Sequence, residues 1–599
     1  QKTLVTEALQ HDASAEQVRR ALQHELAREL NALGDDADLS RTREAFKSDF
    51  SVARVGTSYL IGFQGVTRQI DGGEGVSFIE VDTTGLVGGS AQVLTRMDGI
   101  QYYGIEELNL DLGAGDDVLN VQNVSDGSYQ IVRDAVHASV NVNLADGDDS
   151  IFISSDANLD HATINSGDRF DFLTGDLDGI QGNLNLNAGV GTHQLLISDE
   201  AATAGDANVY ITDTNVAATG TDTFGDASNR EIQVQRLTFG DIAYGAASGG
   251  NFYGGIVYWT GSGNDTVDID GTHYRAGERT TSMLNTGLGD DHVTVDLDSP
   301  GQDSDAGDGF FVLHTMGGAE TESPVDPLAP GQSDDDTVRA AESSLPLIIF
   351  GGLGNDDIIA GQNEDVVFGD LGRVQYLDGG GQIIATLGFG GRGDLVSSDI
   401  IDPTWVISRD LNLGGNDIIE GQADDDVLIG GANTANSPRG TDYIDGDSGD
   451  DLIFGDLVEL MRRDTDVNVV GGVPLSITNP RYQALQGQVI YSRTDVSVGN
   501  QGIATLPGAD EAGQALVDGT SRDVRNQDGT LVAAWHEYVI VELFHSQSIQ
   551  DGNVTGLETS FGDDYIAGGS EHDVIFGQLG DDTIQGDGSI ASAVGAETL

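Results

Sequence analysis

Aspartate recurs at nine-residue intervals near the end of the chain, and this spacing constrains the fold more than any other feature. Asp564, Asp573 and Asp582 are nine residues apart twice over, each with an apolar residue two positions later and a glycine soon after. A short strand followed by a six-residue reversal stacks equivalent residues of successive coils. Isolated hairpins do not require aspartate at a fixed interval, so the spacing predicts a parallel stack of coils.

Two earlier clusters show the same spacing. The first begins with Gly351, Gly352 and Gly354 and carries Asp356 and Asp365. The second cluster, between residues 414 and 455, carries Asp417, Asp426, Asp442 and Asp451. Glycine in such turns permits positive φ and close approach of backbones.

Some turns in these clusters lack a glycine of the full pattern. The fourth position is Asn363, Asp424 or Glu571, and the second is Gln422, Asp447 or Gln578. We expect the metal sites of these turns to differ from one another, while the class of fold stays the same.

The charge of the chain indicates what its turns bind. The 599 residues carry 99 acidic and 27 basic side chains, for a net charge of −72, and 84 glycines but no cysteine. Halophile-type acidity would scatter carboxylates over all surfaces, whereas ligation of cations would place aspartate at fixed positions in turns, as observed. The acidity excludes nucleic acid and anionic membranes as partners. No disulfide or zinc–thiolate site can hold the fold together.

The predicted ligands are oxygens. Aspartate carboxylates and inward-pointing backbone carbonyls of adjacent turns would form an all-oxygen cage, which suits Ca²⁺ with its six to eight ligands. Mg²⁺ prefers fewer protein ligands and more water, and soft metals need cysteine or histidine. The sequence therefore predicts several bound calcium ions.

These motifs resemble the RTX (repeats-in-toxin) family, whose pattern is Gly-Gly-x-Gly-x-Asp-x-apolar-x. The resemblance covers about a sixth of the chain. It implies a parallel β-roll with Ca²⁺ between consecutive turns. It also implies that the aspartates at the family's ligand position bind metal, with the Gly351 turn contributing to the first site. Those aspartates are Asp356, Asp365, Asp417, Asp426, Asp442, Asp451, Asp564, Asp573 and Asp582.

A looser version of the theme occupies residues 67–310. Strand-like segments alternate with Gly/Asp turns, and the aligned aspartates are Asp117, Asp149, Asp265 and Asp291. We predict an irregular β-solenoid in which these four also bind metal. His193 stands at the aspartate position of one turn, so we expect that turn to be free of metal.

The predicted fold class is mainly β, a parallel β-solenoid or RTX β-roll with calcium-binding turns. A small N-terminal α+β module and a β insertion complete it. The predicted boundaries are a helix-plus-strands module at 1–66, the solenoid at 67–310, a linker or excursion at 311–344, and the β-roll at 345–456 with an excursion at 374–410. An inserted β-rich region at 457–560, a second β-roll at 561–590 and an end segment at 591–599 follow. The chain begins without methionine, and we expect it to be a piece of a longer protein.

Three functions are compatible with this pattern. The first is an extracellular structural or adhesive protein, such as a rod, matrix, surface-layer or filament component that folds on calcium after secretion. The second is the non-catalytic repeat region of a secreted enzyme or toxin, and the third is a calcium-dependent glycan-binding module. No nucleophile elbow, phosphate loop or dinucleotide fingerprint is present, so we expect no enzyme activity. We also expect no membrane span, and we regard self-association and extracellular polysaccharide as candidate partners.

Overall fold

The structure is a computed structural model with two units, residues 1–101 and 102–599. It describes residues 50–55, 58–63, 105, 107–125, 138–157, 175–213, 231–275, 280–297, 310–316, 328–329, 331–377, 383–388, 403–433, 441–462, 469–470, 473–474, 538–544 and 560–590. None of these residues forms a helix that could cross a membrane.

In the first unit the described residues form one antiparallel hairpin. Strand β1 (Phe50–Val55) pairs with β2 (Ser58–Phe63). Both strands lie within residues 1–66, the predicted helix-plus-strands module. The helix predicted to precede them lies outside the described residues.

The second unit is a solenoid with two long sheets. Sheet I has fourteen strands. In spatial order they are β3 (Glu107–Asp111), β5 (Ser139–Asn143), β7 (Asn183–Asn187), β11 (Ile242–Gly245), β10 (Ile232–Gln235), β9 (Val209–Thr212), β13 (Thr266–Ile269), β15 (His292–Val295), β17 (Thr337–Arg339), β19 (Asp357–Ile359), β24 (Ile418–Glu420), β26 (Tyr443–Asp445), β32 (Tyr565–Ala567) and β34 (Thr583–Gln585).

Sheet II has eleven strands that run beside sheet I along the stack. They are β4 (Val118–Val121), β6 (Ser150–Ile153), β8 (Gln194–Ser198), β12 (Ile256–Trp259), β14 (Thr281–Asn285), β16 (Phe310–His314), β18 (Leu347–Phe350), β20 (Val366–Phe368), β25 (Val427–Ile429), β27 (Leu452–Phe454) and β33 (Val574–Phe576). The chain alternates between the sheets except at β9, β10 and β11, which follow one another and all lie in sheet I. The pairing within sheet II is parallel. Sheet I is also parallel except at β10, which is antiparallel to β9 and β11.

The core is a column of apolar side chains in register between the two sheets. In sheet I the middle residues Ile358, Ile419, Ile444 and Ile566 pair in succession, and all four are fully buried. Each three-residue strand therefore points its central side chain inward, as the apolar residue two positions after each aspartate predicts. Burial of one such isoleucine is worth about 2–3 kcal/mol.

A third sheet covers the outer face of sheet II. Sheet III is antiparallel and consists of β22 (Ile383–Leu387), β21 (Gly372–Leu377), β23 (Trp405–Ser408), β28 (Glu459–Arg462) and β31 (Tyr538–Glu542). Its apolar side chains pack with the outward-facing Phe350, Phe368 and Phe454 of sheet II. All three residues of β20 and β27 are therefore buried, whereas β19 of sheet I buries only its central residue. A separate hairpin pairs β29 (Val469–Val470) with β30 (Val473–Pro474).

The structure differs from the predicted boundaries in two respects. Both long sheets continue through residue 310 and residue 345, so the solenoid and the β-roll are one stack. Residues 311–344, predicted as a linker or excursion, supply most of β16 and all of β17. The two predicted insertions, 374–410 and 457–560, contribute the strands of sheet III and pack against the roll.

Candidate calcium sites

Two kinds of turn connect the sheets. A II-to-I turn leads from a strand of sheet II into a strand of sheet I, and an I-to-II turn leads back. In the nonapeptide coils each uninterrupted turn has six residues, from position 1, directly after the strand, to position 6, the aspartate. In turns that contain an insertion, position 1 still follows the strand and the aspartate still ends the turn. Residues Gly351 to Asp356 are an uninterrupted II-to-I turn, and Gly421 to Asp426 an uninterrupted I-to-II turn.

The II-to-I aspartates form one hydrogen-bonded ladder along the stack. The backbone N–H of each aspartate donates to Oδ1 of the aspartate in the next coil, at 2.7–3.1 Å. This II-to-I ladder joins Asp265, Asp291, Asp336, Asp356, Asp417, Asp442, Asp564 and Asp582 in that order. It unites two predicted groups of ligands that the sequence places in different domains.

The I-to-II aspartates form a second, shorter ladder. Asp365 N–H donates to Asp426, Asp426 to Asp451, and Asp451 to Asp573, over 2.8–3.3 Å. Asp117 and Asp149 lie apart from it, at the start of sheet II, where Asp117 N–H donates to Asp149 Oδ1 at 2.9 Å. The ring of His193 follows in the next coil, with Nδ1 3.1 Å from Asp149 Oδ2.

The second carboxylate oxygen has no hydrogen-bond partner in several of these turns. Oδ2 is buried and unpartnered in Asp356, Asp417, Asp426, Asp442, Asp451 and Asp564, and also in Asp117, Asp149, Asp291 and Asp336. A buried carboxylate oxygen without a donor or cation costs free energy. A bound cation satisfies such an oxygen where the turn leaves room for one.

Position 1 of the same turns provides the space for such a cation. A Cβ built on Gly455 would lie 2.5 Å from Asp564 Oδ2 and 2.9 Å from the Gly577 carbonyl oxygen. The glycine therefore leaves a cradle between a carboxylate oxygen and the carbonyl of the next coil. Equivalent cradles pair Asp356 with Gly369, Asp417 with Gly430, Asp442 with Gly455, Asp426 with Gly446, Asp451 with Gly568, and Asp573 with Gly586.

The donor set fits calcium. Within the parts of the chain that the structure describes, no three His, Asp or Glu side chains converge on one point, so carbonyls must supply further ligands. Carboxylate plus carbonyl oxygen is the set that Ca²⁺ prefers.

Burial makes these carboxylates difficult to ionise without a cation. Burial raises the pKa of Asp564 to about 9, with repulsion from Asp442 adding to the rise. For Asp573, which is less buried, burial raises the pKa to about 6. A divalent ion in the cradle would oppose both effects, because it stabilises the charged form.

In most of the turns that lack a glycine, the residue in its place still has the positive φ that glycine favours. Gln422, Asp424, Asp447, Glu571 and Gln578 all have φ between 61° and 82°. Positive φ at a non-glycine residue costs about 1–2 kcal/mol. Asn363 is the exception, because it has no positive φ, and the turn around it has a different shape.

The predicted ligands of the first turn have different environments. The Gly351 carbonyl accepts a hydrogen bond from the Thr315 hydroxyl at 2.6 Å. Gly352 and Gly354 have φ of 105° and 109°, so they shape the turn. Asp365 also differs from the other aspartates, since its Oδ2 accepts the Gly361 N–H at 2.7 Å.

The sequence did not identify several buried aspartates that belong to these turns, among them Asp336, Asp370 and Asp456. Asp336 fills the gap between Asp291 and Asp356 in the II-to-I ladder. Asp370 and Asp456 occupy position 2, directly before the two long insertions. Asp370 accepts the N–H of Gly415, where the chain returns from the first insertion, at 2.7 Å, and the N–H of Ala432 in the next coil.

Asp456 has the same arrangement at the second insertion. Its carboxylate accepts the N–H of Gly562, where the chain returns, and that of Leu579 in the next coil, both at 3.2 Å. Asp370 and Asp456 therefore close turns that long insertions interrupt. A carboxylate at position 2 just before an insertion is the sequence signal that could have identified them.

Comparison with known proteins agrees with this geometry. The model of the RTX calcium-binding nonapeptide repeat matches four times, at residues 348–374, 413–434, 439–457 and 558–589. The chain therefore contains RTX calcium-binding nonapeptide repeats. Every uninterrupted glycine cradle of the II-to-I turns lies within these matches. No curated protein and no solved structure is significantly similar to the chain.

Proposed function

We propose that this RTX protein is an extracellular structural or adhesive component, such as a rod, matrix or surface-layer element, that folds when it meets calcium after secretion. The observation that carries the proposal is the row of buried, unpartnered carboxylate oxygens in the glycine turns. Without calcium these coils would contain uncompensated carboxyl groups, and with calcium the same groups become ligands. Folding and metal binding are then one event.

The location outside the cell follows from this coupling. The low calcium of a cytosol would keep the acidic repeats unfolded and competent for export through a type I channel, and millimolar calcium outside would fold them. The absence of cysteine is consistent with a fold held by metal instead of disulfides.

A structural role, without enzyme activity, is the second part of the proposal. The solenoid is an uninterrupted stack whose interior is filled by apolar side chains. Sheet III provides a lateral module for contact with a partner, and self-association of the stack into a filament or layer stays a prediction.

Glycan binding has weaker support. Tyr443 and Tyr565 lie side by side on the outer face of sheet I, each directly after a ladder aspartate. Their rings stack on each other, with centroids 6.1 Å apart and an interplanar angle of 23°. Because each ring covers a face of its neighbour, the pair does not form the flat platform on which a sugar would stack.

The test is far-UV circular dichroism of the purified chain during a calcium titration, with magnesium at equal ionic strength as the control. We expect a cooperative gain of β signal with calcium alone. An equal response to magnesium would mean that the ions only screen charge, and the proposal would be withdrawn. Detection of the chain outside its cells of origin, after export with calcium present, would test the location separately.

A further inference from the structure

The residue at position 1 of the II-to-I turns changes along the stack. From β12 onward it is threonine in three consecutive coils, Thr260, Thr286 and Thr315. In every later coil it is glycine: Gly351, Gly369, Gly430, Gly455 and Gly577. The two sets are equivalent, because each position 1 N–H donates to the last strand residue of the next coil.

In the threonine coils the side chain occupies the space that the glycine coils leave open. The Thr260 hydroxyl donates to Asp265 Oδ2 and lies 3.4 Å from the Thr286 carbonyl oxygen. These are the same two groups, a carboxylate oxygen of the turn and a carbonyl of the next coil, that border the cradle at Gly455.

In the next two coils the hydroxyl again reaches a carbonyl of the following coil, but Oδ2 of Asp291 and Asp336 is buried without a hydrogen-bond partner. The Thr286 hydroxyl donates to the Thr315 carbonyl at 3.2 Å, and the Thr315 hydroxyl donates to the Gly351 carbonyl at 2.6 Å. Each threonine thus links its own coil to the following one. The last of them contacts the first glycine coil, so the two kinds of coil meet at Gly351.

We propose that Thr260, Thr286 and Thr315 take the place of calcium in their coils, so that Asp265, Asp291 and Asp336 belong to the II-to-I ladder but do not bind metal. The inference rests on the proposed function, in which the glycine coils bind calcium. It replaces the sequence-based expectation that Asp265 and Asp291 are calcium ligands. Position 1 is then the residue that decides whether a turn takes an ion.

The physical reason is space and hydrogen bonding. The threonine Cβ and hydroxyl fill the cradle, so an ion has no room between the two oxygens. In the first of the three coils the Thr260 hydroxyl also donates to Asp265 Oδ2, which satisfies that buried oxygen without metal.

An I-to-II turn shows the same relation independently. Position 1 before Asp365 is Ala360, not glycine, and Asp365 Oδ2 accepts the Gly361 N–H at 2.7 Å. In the I-to-II turn of the next coil, position 1 is Gly421, and Asp426 Oδ2 has no hydrogen-bond partner. As at Thr260, a side chain at position 1 here coincides with an aspartate Oδ2 that accepts a hydrogen bond from a protein group.

The first experiment counts calcium ions bound to the full chain by equilibrium dialysis and atomic emission. Asp291→Asn and Asp442→Asn remove equivalent carboxylates from a threonine coil and a glycine coil. We expect Asp442→Asn to lose about one ion and Asp291→Asn to lose none. Equal losses in both variants would overturn the inference. If Asp442→Asn lost no ion, the proposed function of the glycine turns would fail instead.

The second experiment converts one kind of turn into the other. Thr286→Gly opens a cradle next to Asp291, and we expect it to bind about one additional ion. Thr286→Val is the matched control, since it keeps the volume without the hydroxyl, and it should gain no ion. The reverse change, Gly430→Thr, should lose an ion while the chain stays folded. The inference is overturned if Thr286→Gly and Gly430→Thr, both folded, bind as much calcium as the unchanged chain.

Discussion

The coils before and after Gly351 belong to the same two sheets, but their II-to-I turns carry different residues at position 1. Before it, threonine at position 1 of the II-to-I turns reaches a carbonyl of the next coil through its hydroxyl. After it, position 1 is glycine, which leaves open space beside Oδ2 of the aspartate. Under the proposed assignment, one continuous solenoid combines a segment stabilised by protein hydrogen bonds with a segment that depends on metal.

Removal of calcium should produce the largest difference in stability between the two segments. When the free calcium concentration is one hundred times the dissociation constant of a site, that site contributes about 2.7 kcal/mol to the free energy of unfolding. In a calcium chelator we expect the backbone of 417–454 and 564–585 to lose protection from hydrogen exchange, while 256–314 keeps it. Exchange followed by mass spectrometry measures both segments in one sample. Uniform loss of protection along the stack would show that the coils before Gly351 depend on metal as well.

Loss of the Asp370 carboxylate should destabilise the glycine segment at its first long insertion. Asp370→Ala leaves two backbone N–H groups without acceptors, which we expect to cost about 3 kcal/mol in the free energy of unfolding with calcium present. Denaturant unfolding measures this change. The control is Asp357→Ala, since Asp357 is half-exposed on a strand and its ion pair with Arg339 is worth less than about 1 kcal/mol. Equal costs for the two variants would contradict the role assigned to Asp370.

The pH dependence of stability should have opposite sign with and without calcium. In the metal-free fold, burial raises the pKa of Asp564 to about 9 from an ordinary value of 3.8, so the folded state binds more protons than the unfolded chain. Stability from this group is therefore complete below about pH 4 and is lost as pH rises through 9. In chelator, Tm should fall between pH 5 and pH 9.

With calcium bound, the same carboxylates must be ionised, so acid competes with metal. Tm in calcium should therefore fall when the pH is lowered from 7 to 5. Calorimetry over the pH range tests both directions, and parallel slopes in the two buffers would contradict the ligand role of the buried aspartates.

The smallest effect concerns a strained turn of the glycine segment. Glu571 has a φ of 82° at position 4, so Glu571→Gly should raise stability by about 1 kcal/mol through relief of backbone strain. Asn363→Gly is the control at the equivalent position of a turn without positive φ. It should lower stability, because Asn363 donates to the Ser344 carbonyl and the glycine adds backbone freedom. Thermal melts in calcium distinguish the two changes.

The sequence predicts the glycine coils well because each nonapeptide carries its own information. The apolar residue after Asp442 specifies the inward Ile444, and the glycines specify where the chain reverses. No distant residue is needed to recognise such a unit. The positions of Asp356 through Asp582 in two ladders follow from this local repetition.

Features that depend on distant contacts were not predictable. Asp336 was read as part of a linker because residues 316–333 separate it from the strand that precedes its turn. Sheet III pairs β23 with β28, which are about fifty residues apart, and no local pattern encodes that partner. The role of Thr286 depends on its distance to a carbonyl in the next coil, which only the register of the stack brings close.

The placement of the insertions has a mechanical consequence. Both long insertions enter at II-to-I turns, and the second spans residues 458–559 between Leu457 and Ser560. Tension along the stack would act on neighbouring coils one at a time, since each coil contacts only the next. Opening of the coil at Asp456 would release a contour length of about 340 Å, at roughly 3.4 Å per residue. The chain would then lengthen greatly at one point while the coils on either side remain folded.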